Sequence, residues 1–298
     1  MPPDASLVLA AVDFSDDARR AAWRAALVAA EQGARLELVH VMNRASASAL
    51  RGLLRPQAGG EGRVLDSLRA MLDGLAAEIP GGAGTMARTR VIQGEVVPSL
   101  LEAASAAGLV VVGARGWNPI RDMLLGSTAE RLLGRCRRPV LVARRLAKGP
   151  YRRVVAAIDF STHSRAALDL AMRLAPHADI VLVHAYGVAF EGKLRLAGVD
   201  DERLRAFRAE ARREALARMA ALAASIGGDR SRLSQAVTHG HPPSVLLAKA
   251  AQLRADLIVI GKRGGTLAED LVLGSVTRHV LADAACDVLV VQEGAGGA

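Results

Sequence analysis

Cysteine and aromatic residues are scarce in this 298-residue chain, and each shortage closes a class of mechanism. Two cysteines, Cys136 and Cys286, can build neither a disulfide framework nor a four-thiolate zinc site. Phe, Trp and Tyr together make up 3% of the residues, so the core must be Ala, Val, Leu and Ile, and base stacking along a single strand of nucleic acid is disfavoured. No apolar run reaches the roughly 18 to 20 residues of a membrane span, and no basic stretch leads into an apolar secretory core. The expectation is a soluble protein of the reducing cytoplasm with no membrane partner. Three enzyme signatures are also missing: the Gly-x-x-x-x-Gly-Lys-Ser/Thr loop, Gly-x-Gly-x-x-Gly after a strand, and the Gly-x-Ser-x-Gly elbow.

What is present is ordinary globular material: 51% apolar and 23% charged residues, in a length that suits two domains of roughly 150 residues each. The net charge of +9 favours anionic ligands without choosing among them. Much of it lies in Arg203, Arg205, Arg208, Arg212 and Arg213, interleaved with Glu202, Glu210 and Glu214. That mixture reads as a solvated helix surface and argues against a nucleic-acid patch.

The chain is written twice. Leu7-Val8-Leu9-Ala10-Ala11-Val12-Asp13-Phe14-Ser15 recurs as Arg153-Val154-Val155-Ala156-Ala157-Ile158-Asp159-Phe160-Ser161, and Leu38-Val39-His40-Val41 as Leu182-Val183-His184-Ala185. Gly94, Gly113, Gly126 and Val140 answer Gly240, Gly261, Gly274 and Val288. Cys136 and Cys286 are not equivalent in this repeat, so shared thiol chemistry has no support. Two tandem domains follow, residues 1–146 and 151–298, joined by Leu146 to Tyr151 with Gly149-Pro150 at the centre.

Within each half, short β-rich apolar runs alternate with helical spacing. The runs are Leu7–Val12, Leu36–Val41, Thr85–Ile92, Leu109–Val112 and Val140–Ala143, then Val154–Ile158, Ile180–Ala185, Leu233–Thr238, Leu257–Ile260 and Val288–Val291. Several are apolar throughout, as strands covered on both faces of a parallel sheet are. Ser15, and Ser161 or Thr162, signal the first helix of each half; Gly33 stops the first of these. Further helices are expected over Arg63–Glu78 and Asp200–Ile226, ending near Gly81-Gly82 and Gly227-Gly228. The fold class is α/β: two doubly wound domains, each an open five-stranded parallel sheet with helices on both faces.

Ligands of such sheets sit beyond the carboxyl ends of the strands, where strand order reverses. Gly113-Ala114-Arg115-Gly116, nine residues, then Gly126-Ser127-Thr128 is matched by Gly261-Lys262-Arg263-Gly264, nine residues, then Gly274-Ser275-Val276. Glycine lets backbone approach a phosphate, and the amides opening the next helix can donate to it. The plainer alternative, a strand end and a helix cap, stays open. Asp13 and Asp159 suit a ribose hydroxyl, adenine or Mg²⁺, or else a turn. His40 and His184 read as packed, backbone-satisfied residues, and Val41 and Ala185 beside them offer backbone groups to a base. His239-Gly240-His241 has no evident third ligand, so no metal site is expected.

Together these features resemble the universal stress protein family in its tandem two-domain form. Members have a five-stranded parallel α/β fold, and those carrying this loop pattern bind ATP. The resemblance implies that Asp13 and Val41 face the adenosine part, while Gly113, Gly116, Gly126 and Ser127 take ribose and phosphates, beside Thr128. The counterparts are Asp159, Ala185, Gly261, Gly264, Gly274 and Ser275, beside Val276. Thr128 stands where the family commonly has Val, Gly108 replaces the acid seen at Asp256, and Asp287 replaces the proline found at Pro139, a change expected to disturb the final strand. The expected function is a stress-response protein that binds ATP, with Mg²⁺, in one or both halves, tuning its stability or its choice of a regulatory protein partner. A homodimer is compatible with this; a nucleotide-free interaction scaffold and a slow ATPase are the alternatives. No catalytic residue is assigned, because no base is repeated beside the loops.

Overall fold

A serine ahead of a run of helix formers starts the first helix of each half. In the computed structural model, which describes residues 4–43, 60–79, 87–116, 125–188, 191–227, 230–262 and 273–292, strand β1 (Asp4–Ala11) leads into helix α1 (Asp16–Gln32). Ser15 is the N-cap and accepts from the Ala18 N–H, while Asp16 and Asp17 place negative charge at the positive end of the helix dipole. Gly33, at φ 59°, returns its N–H to the carbonyls of Ala29 and Ala30 and ends the helix. In the second half β6 (Arg153–Ala157) leads into α5 (Thr162–Leu174); Ser161 is the cap, accepting from the Ser164 N–H, and Thr162 is the first helical residue.

The chain divides into two units, Met1–Pro150 and Tyr151–Ala298. In the first, β1 and α1 are followed by β2 (Arg35–Met42), α2 (Gly60–Glu78), β3 (Arg88–Gln93), α3 (Val96–Ser105), β4 (Ala107–Gly113), α4 (Ser127–Arg135) and β5 (Val140–Ala143). Its parallel strands lie in the order β3-β2-β1-β4-β5. In the second, β6 and α5 precede β7 (Asp179–Tyr186), α6 (Glu191–Leu196), α7 (Asp201–Ala224), β8 (Leu233–His239), α8 (Pro242–Leu253), β9 (Leu257–Gly261), α9 (Ser275–Asp283) and β10 (Asp287–Val291). Here the order is β8-β7-β6-β9-β10, again parallel. Winding reverses beside β1 and beside β6, which opens a crevice between β1 and β4 and between β6 and β9. The doubly wound α/β expectation is met in both units. The short helix α6 is an addition, and Thr85 and the breaks at Gly81, Gly82 and Gly228 lie outside the described residues.

Low aromatic content shows directly in the core. Ala, Val, Leu and Ile fill it, and Tyr151 is the one buried aromatic among the described residues. β9 is buried along its whole length and reads as a continuous apolar run, whereas the outer strands β3 and β8 are half-covered and carry polar residues among the apolar ones.

Asp287 does not disturb the final strand. β10 pairs with β9 from Asp287 opposite Leu257 to Val291 opposite Gly261. The carboxylate is 1% exposed and accepts the Tyr151 hydroxyl at 2.8 Å. A buried charge is tolerated where it is hydrogen-bonded, and this pair supplies such a bond. Asp256, the acid that Gly108 replaces in the first half, accepts the N–H groups of Arg152 and Arg153 at 2.9 and 3.0 Å and fixes the entry to β6. Replacing Tyr151 with Phe removes one donor from a buried carboxylate, a loss of about 1–3 kcal/mol. Urea unfolding followed by circular dichroism should show the lower midpoint; an unchanged midpoint would mean that the pair contributes nothing.

Candidate functional site

Each crevice begins with the turn after the first strand. Phe14 lies at φ 65° and Phe160 at φ 63°, left-handed backbone that a bulky residue adopts at a cost of about 1–3 kcal/mol. Both turns are held by the same contacts. Asp13 Oδ1 accepts the Ser15 N–H at 3.0 Å and the Ser15 hydroxyl at 2.5 Å. Asp159 Oδ1 repeats this with Ser161 at 3.0 and 2.6 Å. Phe14 lies against the His40 ring with centroids 4.7 Å apart, and Phe160 against His184 at 4.5 Å. His40 Nδ1 is 2.8 Å from the Val12 carbonyl and His184 Nδ1 is 2.8 Å from that of Ile158. A carbonyl only accepts, so Nδ1 carries the proton in each ring. The two histidines are structural parts of the turn.

The glycines have different reasons to be glycine. A Cβ on Gly113 would fall 2.7 Å from the Asp17 carbonyl carbon and 3.0 Å from the Ala18 nitrogen, so the close pass of α1 demands glycine there whatever the loop binds. A Cβ on Gly116 would fall 2.6 Å from Asp13 Oδ2. Around Gly126 there is room, with the nearest atom, Arg115 Cα, at 3.4 Å. Its N–H closes the loop by donating to the Ala114 carbonyl at 2.7 Å, as that of Gly274 does to Lys262 at 3.0 Å. Gly126 and Gly274 are the N-caps of α4 and α9, and neither helix has a side-chain cap. Having no cap leaves the first-turn amides of Ser127, Thr128, Ser275 and Val276 for a ligand.

In the first unit Asp13, Val41, Gly113, Gly116, Gly126, Ser127 and Thr128 line one cleft of about 410 Å³. In the second, Asp159, Ala185, Gly261, Gly274, Ser275 and Val276 line a cleft of about 230 Å³; Gly264 lies outside the described residues. Five lining residues are additions to those singled out from sequence. Val96 and Leu100 on α3, and Pro242 and Leu246 on α8, form an apolar wall whose signal was their i, i+4 spacing. Arg115 flanks the first cleft, its N–H donating to Asp17 Oδ2 at 3.0 Å and its guanidinium 3.7 Å from the same oxygen. The His239-Gly240-His241 imidazoles part company. His239 Nε2 meets Glu191 Oε2 at 3.0 Å beside the edge of Tyr186, while His241 faces His279 across 6.2 Å. Glu191 also pairs with Arg208, whose guanidinium is the main reason its carboxyl is held down to about 2.

Burial holds the His40 imidazole below its ordinary 6.5, with the Val12 carbonyl and the Asp13 charge pulling the other way. A folded-state value below the unfolded one means the fold favours the neutral ring, so this contribution is complete above pH 6.5 and is lost as the pH falls through the depressed value. His40→Gln, which cannot take up that proton, should flatten the acid side of the stability–pH curve between pH 7 and 5, measured by thermal melting. An identical slope in the variant would remove His40 from the account.

Both halves match one sequence family, described as the universal stress protein family, over residues 6–144 and 150–292. A universal stress protein of Mycobacterium bovis is 30% identical over 233 residues, covering 75% of this chain and 68% of that protein. Another from the same organism is 27% identical over 301 residues, covering 96% and 97%. The crystal structure of a universal stress protein from Archaeoglobus fulgidus aligns over 98% of this chain and 100% of its own at a TM-score of 0.66; at 18% identity that likeness is one of fold. With both halves matched and the fold shared from end to end, the chain belongs to the universal stress protein family as a tandem of two such domains.

Proposed function

We propose that this member of the family binds ATP in the crevice at the strand-order reversal and works as a nucleotide-dependent regulatory or protective protein, not as an enzyme. The observation that supports this best is the convergence, in the first unit, of seven residues singled out by sequence onto one cleft whose far end is an uncapped helix N-terminus. Val39, Val41 and Leu100 supply an apolar surface for a base. Asp13 is suited to accept from a ribose hydroxyl. The Ser127 and Thr128 amides and hydroxyls, with the α4 dipole behind them, suit phosphates.

A Mg²⁺ ion would arrive on the phosphates, which normally carry it together with one or two carboxylates. Asp13 is the carboxylate in the described lining of the first cleft, and its Oδ2 lies beside Gly116. Hydrolysis is poorly served. Among the described lining residues Asp13 and His40 are the groups able to take a proton, and both are bound into the turn: Asp13 to Ser15, His40 to Val12. Occupancy would then act through stability and through the choice of a protein partner.

Mg-ATP at about 100 times its dissociation constant should stabilise the fold by roughly 2.7 kcal/mol, seen as a rise in melting temperature. Gly126→Val should abolish the rise that comes from the first cleft. Gly126 sits at φ −69° with ordinary contacts around a new Cβ, so valine fits the backbone and the variant reports binding. A rise that survives when Gly126→Val is combined with Gly274→Val would sink the phosphate assignment, and no rise in the native protein would favour the nucleotide-free scaffold.

A further inference from the structure

The two clefts share a plan and differ at the end where the phosphates would lie. The first turn of α4 reads Ser127-Thr128-Ala129, and that of α9 reads Ser275-Val276-Thr277. The second hydroxyl has moved one position along the helix, and one position is enough to turn it inward. Thr277 is 2% exposed, and its Oγ1 donates to the Gly261 carbonyl at 2.9 Å. Its side chain is larger than that of Ala129 at the matching place, and its hydroxyl satisfies the carbonyl that ends β9 instead of offering a donor to a ligand. Val276 sets a methyl group where Thr128 has a hydroxyl.

A second substitution works in the same direction. Ala18 lines the first cleft and Ser164 the second, where its hydroxyl donates to the Ser161 carbonyl at 3.0 Å. Val41 to Ala185 runs the other way and widens the end assigned to the base. The second cleft measures about 230 Å³ against about 410 Å³ for the first. Clefts that enclose ligands of drug size run from about 300 to 1,000 Å³, so the first lies inside that range and the second below it.

Resting on the nucleotide reading above, we infer that the two halves have diverged in ligand: the first cleft takes a nucleoside triphosphate, and the second takes a nucleoside monophosphate. The second keeps what one phosphate needs, namely the Ser275 hydroxyl and the uncapped α9 amides, together with Asp159 and a roomier base end. Among its described residues it lacks the outward hydroxyl that Thr128 would offer a longer tail.

Isothermal titration of the intact chain separates the two sites. Mg-ATP should bind once per chain, and AMP should bind to the ATP-saturated protein at a second site. Gly126→Val should remove the ATP event and keep the AMP event, and Gly274→Val should do the reverse. Val276→Thr restores a hydroxyl to a charged ligand without touching the buried Thr277, and should tighten ATP at the second site by roughly tenfold or more. Val276→Thr combined with Thr277→Ala should raise ATP stoichiometry from one to two. Two equivalent ATP sites in the native protein, or no gain in either variant, would overturn the divergence and leave the nucleotide reading standing. The absence of any ATP binding in the native protein would instead remove that reading itself.

Discussion

The pass of α1 against the end of β4 is the constraint on which the site depends. The helix backbone at Asp17 and Ala18 lies so near Gly113 that a single Cβ would collide with main-chain atoms at 2.7 to 3.0 Å. Reaching that position from β1 takes a tight reversal, and the chain makes it at Phe14 with a left-handed φ of 65°. The strain is offset locally. Ser15 caps α1 and donates to Asp13, the Phe14 ring packs on His40, and His40 ties off the Val12 carbonyl. The carboxylate proposed to meet the ribose is thus oriented by the same bonds that make the turn, which gives it a fixed direction before any ligand arrives.

That turn is also what duplication has preserved most closely. Asp159, Phe160, Ser161 and His184 repeat the arrangement to within 0.2 Å in the ring separation, 4.5 against 4.7 Å. In the second unit the guanidinium of Arg218 on α7 sits 4.2 Å from the Phe160 ring centre, a cation–π contact. In that unit α6 is tied by Glu191 to Arg208 and His239. Where sequence changed freely, in the first turn of α4 and α9 and on the helices walling the clefts, the shape of the binding space changed with it. Folding fixes the turn; it does not fix what lies opposite.

The repeat, the ten strands and the doubly wound class were legible in the sequence because a buried parallel strand writes itself as a continuous aliphatic run. The strand expected over Val140–Ala143 matches its span residue for residue, and the others shift by a few residues at their ends. The residues of the first cleft were legible too, since a glycine loop and a strand-end carboxylate recur at matched spacing. Three things were not. Nothing in a phenylalanine announces positive φ, which is imposed by the helix it leads to. Gly113 looked like a phosphate glycine, and its neighbours in space show that helix packing alone requires it. Asp287 looked like damage to a strand, because its partner Tyr151 is 136 residues away in sequence and only the fold brings the hydroxyl to 2.8 Å.

The loop's glycines therefore do not carry one message. Gly113 answers to the fold, Gly116 to the Asp13 carboxylate beside it, and Gly126 to the mouth of the cleft, where a side chain would meet no backbone closer than 3.4 Å. A ligand touching Asp13 would act on the group that keeps Phe14 in its strained state, and one touching the α4 amides would act on the loop that Gly126 closes. Both contacts exist only in the folded arrangement of β1, α1 and α4, so occupancy and the integrity of this corner are linked in either direction. Such linkage needs no chemical step: a partner that recognises the ordered corner would sense the nucleotide through the population of that state.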